Sequence, residues 1–463
     1  MTLRRCPAAG MIACLVILLA ARDVCAQVAP ASKPLEPVAA KPDAKPEQAE
    51  DDYYELLKLF VDTLDQVERN YVKDLSRREL VEAAIQGMLA KLDEHTNYIG
   101  PDDIDRFRTS VESEFPGIGV RLSSERGKLV VSAVLGATPA ERAGVVAGDV
   151  ITRIENEPTE NMKLDDAVKR LKGEAGSQVV LHLLRPATNK EDKLTLTREL
   201  VRVETVFGVN RSDGRRWNFI CDADHQIAYV RLAVFGRHSA EELQKVLTEL
   251  RAQQMKALVL DLRFNPGGLL TTAVEVADLF VAEGKIVSTS GRNVQEQVWE
   301  ARQPDTLEDF PMAVLVNQYS ASASEIVAAC LQDHQRAVVV GQRTLGKGSV
   351  QNIVELDGGR SALKLTTAGY FRPSGKNIDR QAAGSDGDNW GVRPNEGLEV
   401  VLSGDETRRL AQAQRKGDEE SPTSTSSPRL DDKQLEKALQ YLREQLAAGP
   451  TAASPTAGQP SPK

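Results

Sequence analysis

Three serines crowd one short stretch, Asn317-Gln318-Tyr319-Ser320-Ala321-Ser322-Ala323-Ser324. The stretch follows the apolar run Ala313-Val314-Leu315-Val316 and leads into a helical pattern from Glu325 to Gln332. That strand–turn–helix order leaves the first N–H groups of a helix unpaired and available to a reacting oxygen. A second unit has the same build. The apolar strand Ala257-Leu258-Val259-Leu260-Asp261-Leu262 ends in Arg263-Phe264-Asn265-Pro266-Gly267-Gly268, and a helix follows through Phe280. Short side chains in both turns let backbone donors approach closely. Open α/β sheets place their sites at the carboxyl ends of strands, so both turns belong to one crevice. A serine hydroxyl also needs a base. Lys347 in Gly346-Lys347-Gly348 follows the strand Ala337 to Val340, and its flanking glycines permit tight packing. Desolvation is what would hold its amine neutral, and Gln351 is placed to hold that amine without adding charge.

Other chemistries fit less well. Gly341-x-x-x-x-Gly346-Lys347 nearly matches a phosphate-binding loop, but Gly348 stands where the Mg²⁺-binding hydroxyl belongs, so nucleotide binding is not expected. Ser361-Ala362-Leu363-Lys364 satisfies S-x-x-K, yet its alternating pattern reads as a strand, which sends the serine and lysine to opposite faces. No G-x-S-x-G elbow occurs, and the five histidines show no metal spacing. His334 reads as a helix-end residue. The net charge of −9 is spread along the chain without a basic block, so nucleic acid has no electrostatic footprint. Beyond the first 26 residues only Cys221 and Cys330 remain, too few for a disulfide framework and with no CxxC pair for zinc. Cys330, in a helical apolar pattern, reads as a buried small hydrophobe. No metal and no organic cofactor is expected.

Upstream, Phe115-Pro116-Gly117-Ile118-Gly119-Val120 is a glycine-bearing loop that turns backbone N–H groups toward a small anion such as a carboxylate. Then come Thr138-Pro139-Ala140-Glu141-Arg142-Ala143-Gly144, the run Ala147-Gly148-Asp149-Val150-Ile151-Thr152-Arg153-Ile154, and the helical Asp165 to Leu171. The series resembles a PDZ domain, which binds an extended peptide by adding it as a strand beside the carboxylate loop.

Asn317 to Glu325 (N-x-x-S-A-S-A-S-E), followed by Gly346-Lys347-Gly348-Ser349-Val350-Gln351, resembles the signature of the C-terminal processing peptidases, tail-specific serine proteases. The resemblance runs from about Asp51 to Leu402 and takes in Tyr370-Phe371-Arg372-Pro373-Ser374-Gly375 and Gly391-Val392-Arg393-Pro394. It implies that the second serine of S-A-S is the nucleophile and that the lysine lies twenty-five positions later, which selects Ser322 with Lys347. It further implies that Gln351 orients the lysine, that Ala323 N–H and either Gly267 or Gly268 form an oxyanion hole, and that Asp333 has a supporting role. Phe264 stands where members often carry a polar residue. The expected activity is serine endopeptidase cleavage near protein C-terminal tails, with Gly117, Ile118, Gly119 and Val120 binding the substrate carboxylate. The alternative is a non-catalytic PDZ scaffold binding protein C-termini in the cell envelope.

The elements that must position these residues divide by composition. Arg4 and Arg5, the apolar run Met11 to Ala21 and Val24-Cys25-Ala26 have the layout of a secretory signal, residues 1–26. Export to the periplasm or cell envelope is expected, and an uncleaved signal would tether the chain to the membrane. Residues 27–50 read as a disordered tether and 51–113 as a helical region, with Leu56, Phe60, Leu64 and Val67 on one face and Leu80, Ala84, Met88 and Leu92 on another. A PDZ-like β domain is expected over 114–200 and an α/β peptidase core with a mostly parallel sheet over 201–414. A linker (415–430), a C-terminal helix (431–448) and a disordered tail (449–463) complete an α+β and α/β multidomain chain. Homo-oligomerisation through the helical regions is left open.

Overall fold

The computed structural model describes residues 46–186, 188–212, 216–302, 306–381, 390–419 and 432–449. The expected signal, most of the tether and linker, and the tail beyond Gly449 lie outside them. The chain divides into two compact units, 1–80 and 81–463. In the first, one helix runs Pro46–Asn70, so it begins inside the stretch read as tether. Its expected apolar stripe is not covered within this unit: Leu56 is 65% exposed and Phe60 44%. The next helix, Arg77–Leu89, opens on a Ser76–Glu79 capping box, with Ser76 N–H donating to Glu79 Oε2 at 2.8 Å.

The second unit corrects the reading of 51–113 as helical throughout. After Leu89 the chain turns on Asp93, whose Oδ1 accepts the N–H groups of His95 and Thr96, both at 2.8 Å. A short side-chain acceptor of this kind competes with the helix for the backbone. The strand Asn97–Ile99 follows, then the helix Ile104–Glu112. The β-rich domain is zipped at its ends, where Glu114–Gly117 pairs antiparallel with Glu199–Arg202. Between them five strands pair in sequence order within one antiparallel sheet, from Val120–Glu125 to Lys190–Thr197. Burial alternates along Gln178–Arg185, and Val179, Leu181 and Leu183 are sealed into a core of their own with Leu129, Val131 and Ile151.

Four parallel strands form the centre of the next layer: Ile227–Leu232, Ala257–Asp261, Met312–Val316 and Val338–Gly341, in that spatial order. Both faces are covered, so the strands read as continuous apolar runs. Leu258 and Leu260 face the helices Ser239–Ala252, Leu270–Asp278 and Ala323–Asp333; Ala257 and Val259 face the C-terminal helix Lys433–Ala448 through Ala438, Leu439 and Leu442. The parallel pattern does not extend to 402. Lys285–Gly291, Val294–Glu300, Ser349–Leu356 and Ser361–Phe371 join Asn97–Ile99 in a second, wholly antiparallel sheet. The linker reading of 415–430 is also corrected at its start. The helix Gly404–Glu419 runs through it, opened by Ser403 and Glu406. Its Gln, Arg and Lys are good helix formers, so polarity alone was a poor sign of a linker there.

Candidate active site

The two turns meet. A Cβ built on Gly267 would lie 2.9 Å from Ser322 Cβ and 3.0 Å from Ala323 N, so only a glycine allows this approach. Side chains on both turns hold the junction. Ser320 Oγ donates to Leu262 O at 2.8 Å, Ser324 Oγ donates to Asn265 O at 2.9 Å, and Asn265 Nδ2 donates to Leu232 O at 2.7 Å. All three residues are fully buried. Two of the three serine hydroxyls are therefore engaged as staples. The third, Ser322, sits just before the helix Ala323–Asp333 at φ 56° and ψ −113°, a left-handed conformation that costs a non-glycine residue about 1–3 kcal/mol. Its Oγ donates to no backbone group among the described residues and faces the hydroxyl of Tyr370.

The glycines divide between structure and availability. Gly267 N–H donates to Asn265 Oδ1 at 2.8 Å. Gly268 N–H and Ala323 N–H have no acceptor among the described residues, and Gly268 is exposed. Its φ of 151° comes with a close approach, for a Cβ there would meet Phe235 O at 2.2 Å.

Glu325 joins the serine to the lysine. Its carboxylate, fully buried, accepts Ser322 N–H at 2.8 Å, Gly346 N–H at 2.7 Å, Lys347 N–H at 2.9 Å and the Thr344 hydroxyl at 2.5 Å. Burial pushes this carboxyl up, and the donors hold it down in part. Lys347 is half-buried. Burial lowers its amine from the ordinary lysine value and the nearby Lys364 charge lowers it further, against the pull of Glu325 and Asp93. Among the described residues no hydrogen bond joins the Lys347 amine to Ser322. Nor does one join it to Gln351, whose Nε2 donates to Ser349 Oγ at 2.8 Å and to Thr366 Oγ1 at 3.3 Å. Thr366 Oγ1 donates in turn to Asp93 at 3.2 Å. Tyr370 is buried with its phenol pushed up to about 12, and its N–H donates to Gly348 O at 2.6 Å. Sequence reasoning assigned no role to Glu325 or Tyr370. The S-x-x-E spacing from Ser322 to Glu325 is a capping-box signal for the first; no local signal marks the second.

Asp333 lies at the far end of the helix that Ser322 begins, about 16 Å along its axis. It pairs with Arg372 at 2.5 Å and accepts Ser374 N–H at 3.0 Å. His334 ends that helix and its Nε2 meets Lys285 O at 2.8 Å. Burial pushes the Cys330 thiol up to about 12, which leaves it a packed, unreactive group. Phe264, at φ 61°, stacks on the exposed Tyr319 with ring centroids 5.6 Å apart.

In the β-rich domain, Gly117, Ile118 and Gly119 border a cavity of about 250 Å³ whose other wall includes Val168 and Leu171. Ile118 O accepts from Ala140 N–H and Gly119 O from Leu135 N–H, both at 2.9 Å, so the loop is tied by its carbonyls. Gly119, at φ 83°, leaves only 2.3 Å between a built Cβ and Thr138 Cβ. The cavity thus lies between a sheet-edge loop and a helix, where an added strand would run.

The model of Peptidase family S41 matches residues 226–396, that of a PDZ domain residues 130–185, and that of the activating protease CtpB N-terminal domain residues 24–100. A carboxy-terminal-processing protease of Bartonella bacilliformis is 35% identical over 86% of this chain and 90% of its own. The carboxy-terminal processing protease CtpB of Bacillus subtilis is 31% identical over 74% of this chain and 68% of its own. Among solved structures, the photosystem II D1 C-terminal processing protease is 30% identical over 74% of this chain and 92% of its own, with a TM-score of 0.40.

Proposed function

Because the chain belongs to the carboxy-terminal processing proteases of peptidase family S41, we propose that it is a serine endopeptidase working through Ser322 and Lys347. The observation that carries this reading is the sorting of the serines. Ser320 and Ser324 are engaged in stapling the two turns, while Ser322 alone of the three stands strained at the helix start, packed against Gly267. Lys347, lowered by burial, is suited to act as a base in its neutral form. Catalytic hydrogen bonds often tighten only in the substrate complex, and the reading requires Ser322 Oγ to turn from Tyr370 toward Lys347.

The steps follow from these groups. Neutral Lys347 takes the Ser322 proton as Oγ adds to the scissile carbonyl. The oxygen that becomes negative is held by the Ala323 and Gly268 N–H groups; each such donor contributes about 2.7–4 kcal/mol to lowering the barrier. Gly267 is excluded as a donor by its bond to Asn265. The lysine then passes its proton to the leaving amine, and water attacks the acyl-serine. Gln351 serves the site indirectly, through Thr366 to Asp93, whose charge acts on the amine. Asp333 supports the 372–374 turn.

The Gly117–Val120 loop would hold a substrate's terminal carboxylate, with the tail added as a strand beside Val120–Glu125. The substrates are then exported proteins met in the periplasm or cell envelope, a placement that rests on the N-terminal sequence pattern. A fluorophosphonate probe should label the wild-type chain and not Ser322→Ala, and labelling that survives the substitution overturns the assignment.

A further inference from the structure

The peptidase turn is tied to the far end of the chain by a buried charge cluster. Arg263, 1% exposed, opens the turn that ends at Gly268. On one side Asp261 takes its Nε at 3.0 Å and its Nη2 at 2.6 Å. On the other, Asp432 takes Nη1 at 2.9 Å and Nη2 at 2.8 Å, and Gln434 Oε1 takes Nη1 at 3.1 Å. Asp261 also accepts the Tyr229 hydroxyl at 2.7 Å. The guanidinium fork is thus held from both sides, in the bidentate geometry that fixes direction as well as charge. Asp432 and Gln434 stand at the start of the C-terminal helix, outside residues 226–396 that match the peptidase family. Asp432 additionally caps that helix by accepting Leu435 N–H at 3.1 Å.

We propose that Asp432 is a positioning residue for the peptidase reaction, holding Arg263 so that the Arg263–Gly268 turn presents its amide to the reacting oxygen. The inference rests on the reading that this turn serves the oxyanion. Without the Asp432 charge, Arg263 keeps one carboxylate; an asparagine oxygen still takes Nη1, but the buried Nη2 loses its second acceptor and the turn it opens loses half of its anchor. A displacement of about 1 Å at such a site is enough to cost about 100-fold in rate.

The test uses the full-length chain. Asp432→Asn retains an oxygen to cap Leu435 but removes the charge facing Arg263. At a temperature where circular dichroism shows both proteins folded, kcat on an unstructured protein substrate and the fluorophosphonate labelling rate should fall together by about 100-fold, with KM unchanged. Asp432→Glu should recover part of the loss, and it carries the test if the asparagine variant does not fold. Leu442→Ala, which loosens the same helix in its apolar packing without touching the cluster, should lower Tm and label at the wild-type rate. Wild-type labelling by a folded Asp432→Asn, or equal slowing in Leu442→Ala, overturns the inference. A wild type that takes no label overturns the serine reading itself, and this inference with it.

Discussion

In the proposed reaction the turn ending at Gly268 and the loop at Gly117–Gly119 each serve an oxygen anion, but the two are held in opposite ways. Around the first, Asn265, Ser320, Ser324 and Glu325 are fully buried polar residues: the two serines bond across to the other strand–turn unit, Asn265 bonds Leu232 O, and Glu325 ties Ser322 N–H to the lysine turn. Behind the second lies an apolar core, with Ile118 packed among Leu129, Val131 and Leu181. Hydrogen bonds are directional and an unmade one is costly when buried, so the first arrangement fixes atoms narrowly. Apolar packing is non-directional and suits a cleft that has to accept more than one partner. A group that must meet a transition state needs the first kind of support. A group that captures a tail can work with the second.

This contrast predicts that the two loops can be broken separately. Ser322→Ala should have the largest effect, removing turnover altogether while leaving Tm and the binding of a C-terminal peptide, read by fluorescence anisotropy, as in the wild type. Retained turnover would show that the stapled serines are not mere staples. Lys347→Arg should come next, with loss of turnover by several orders of magnitude, because guanidinium stays protonated at any working pH. An active arginine variant would remove the lysine as base.

Gly119→Ala should weaken anisotropy-measured binding of the same peptide at least about 10-fold, since the new Cβ meets Thr138 at 2.3 Å in a left-handed backbone. Hydrolysis of a small ester, which needs only the core, should persist. Equal loss of both activities would erase the contrast between the loops. The smallest effect concerns pH. As the proposed base, Lys347 has to be neutral, so kcat/KM should fall as pH drops through its lowered pKa. Lys364→Met removes a like charge that helps to lower it, so the acid limb should move to higher pH; Asp93→Asn removes an opposite charge and should move the limb to lower pH. A pH–rate profile measured on both variants checks the two signs.

Much of this arrangement was legible in the residues. Both strand–turn–helix units, the glycine-flanked lysine and the PDZ-like series follow from local pattern, because apolar runs, turn glycines and helix starts are short-range signals. The strand Asn97–Ile99 was missed because its partner lies over 260 residues away, with Tyr98 opposite Leu363. The helix Gly404–Glu419 was not read as one, and its last five residues were placed in the linker, because its polar composition resembled a linker. The apolar stripe of Pro46–Asn70 gave the periodicity of a packed helix, although Leu56 and Phe60 are exposed. Periodicity identifies a face and not what covers it.

From the sequence alone came the residue types the reaction requires and the order of the elements that carry them. Tertiary structure decided which hydroxyl and which glycine amide are left over once the rest are satisfied, and brought Asp432 onto Arg263 across 169 residues. The physical reason is that a hydrogen-bonding group's availability depends on every neighbour it could satisfy, and in a packed interior most of those neighbours are distant in the chain.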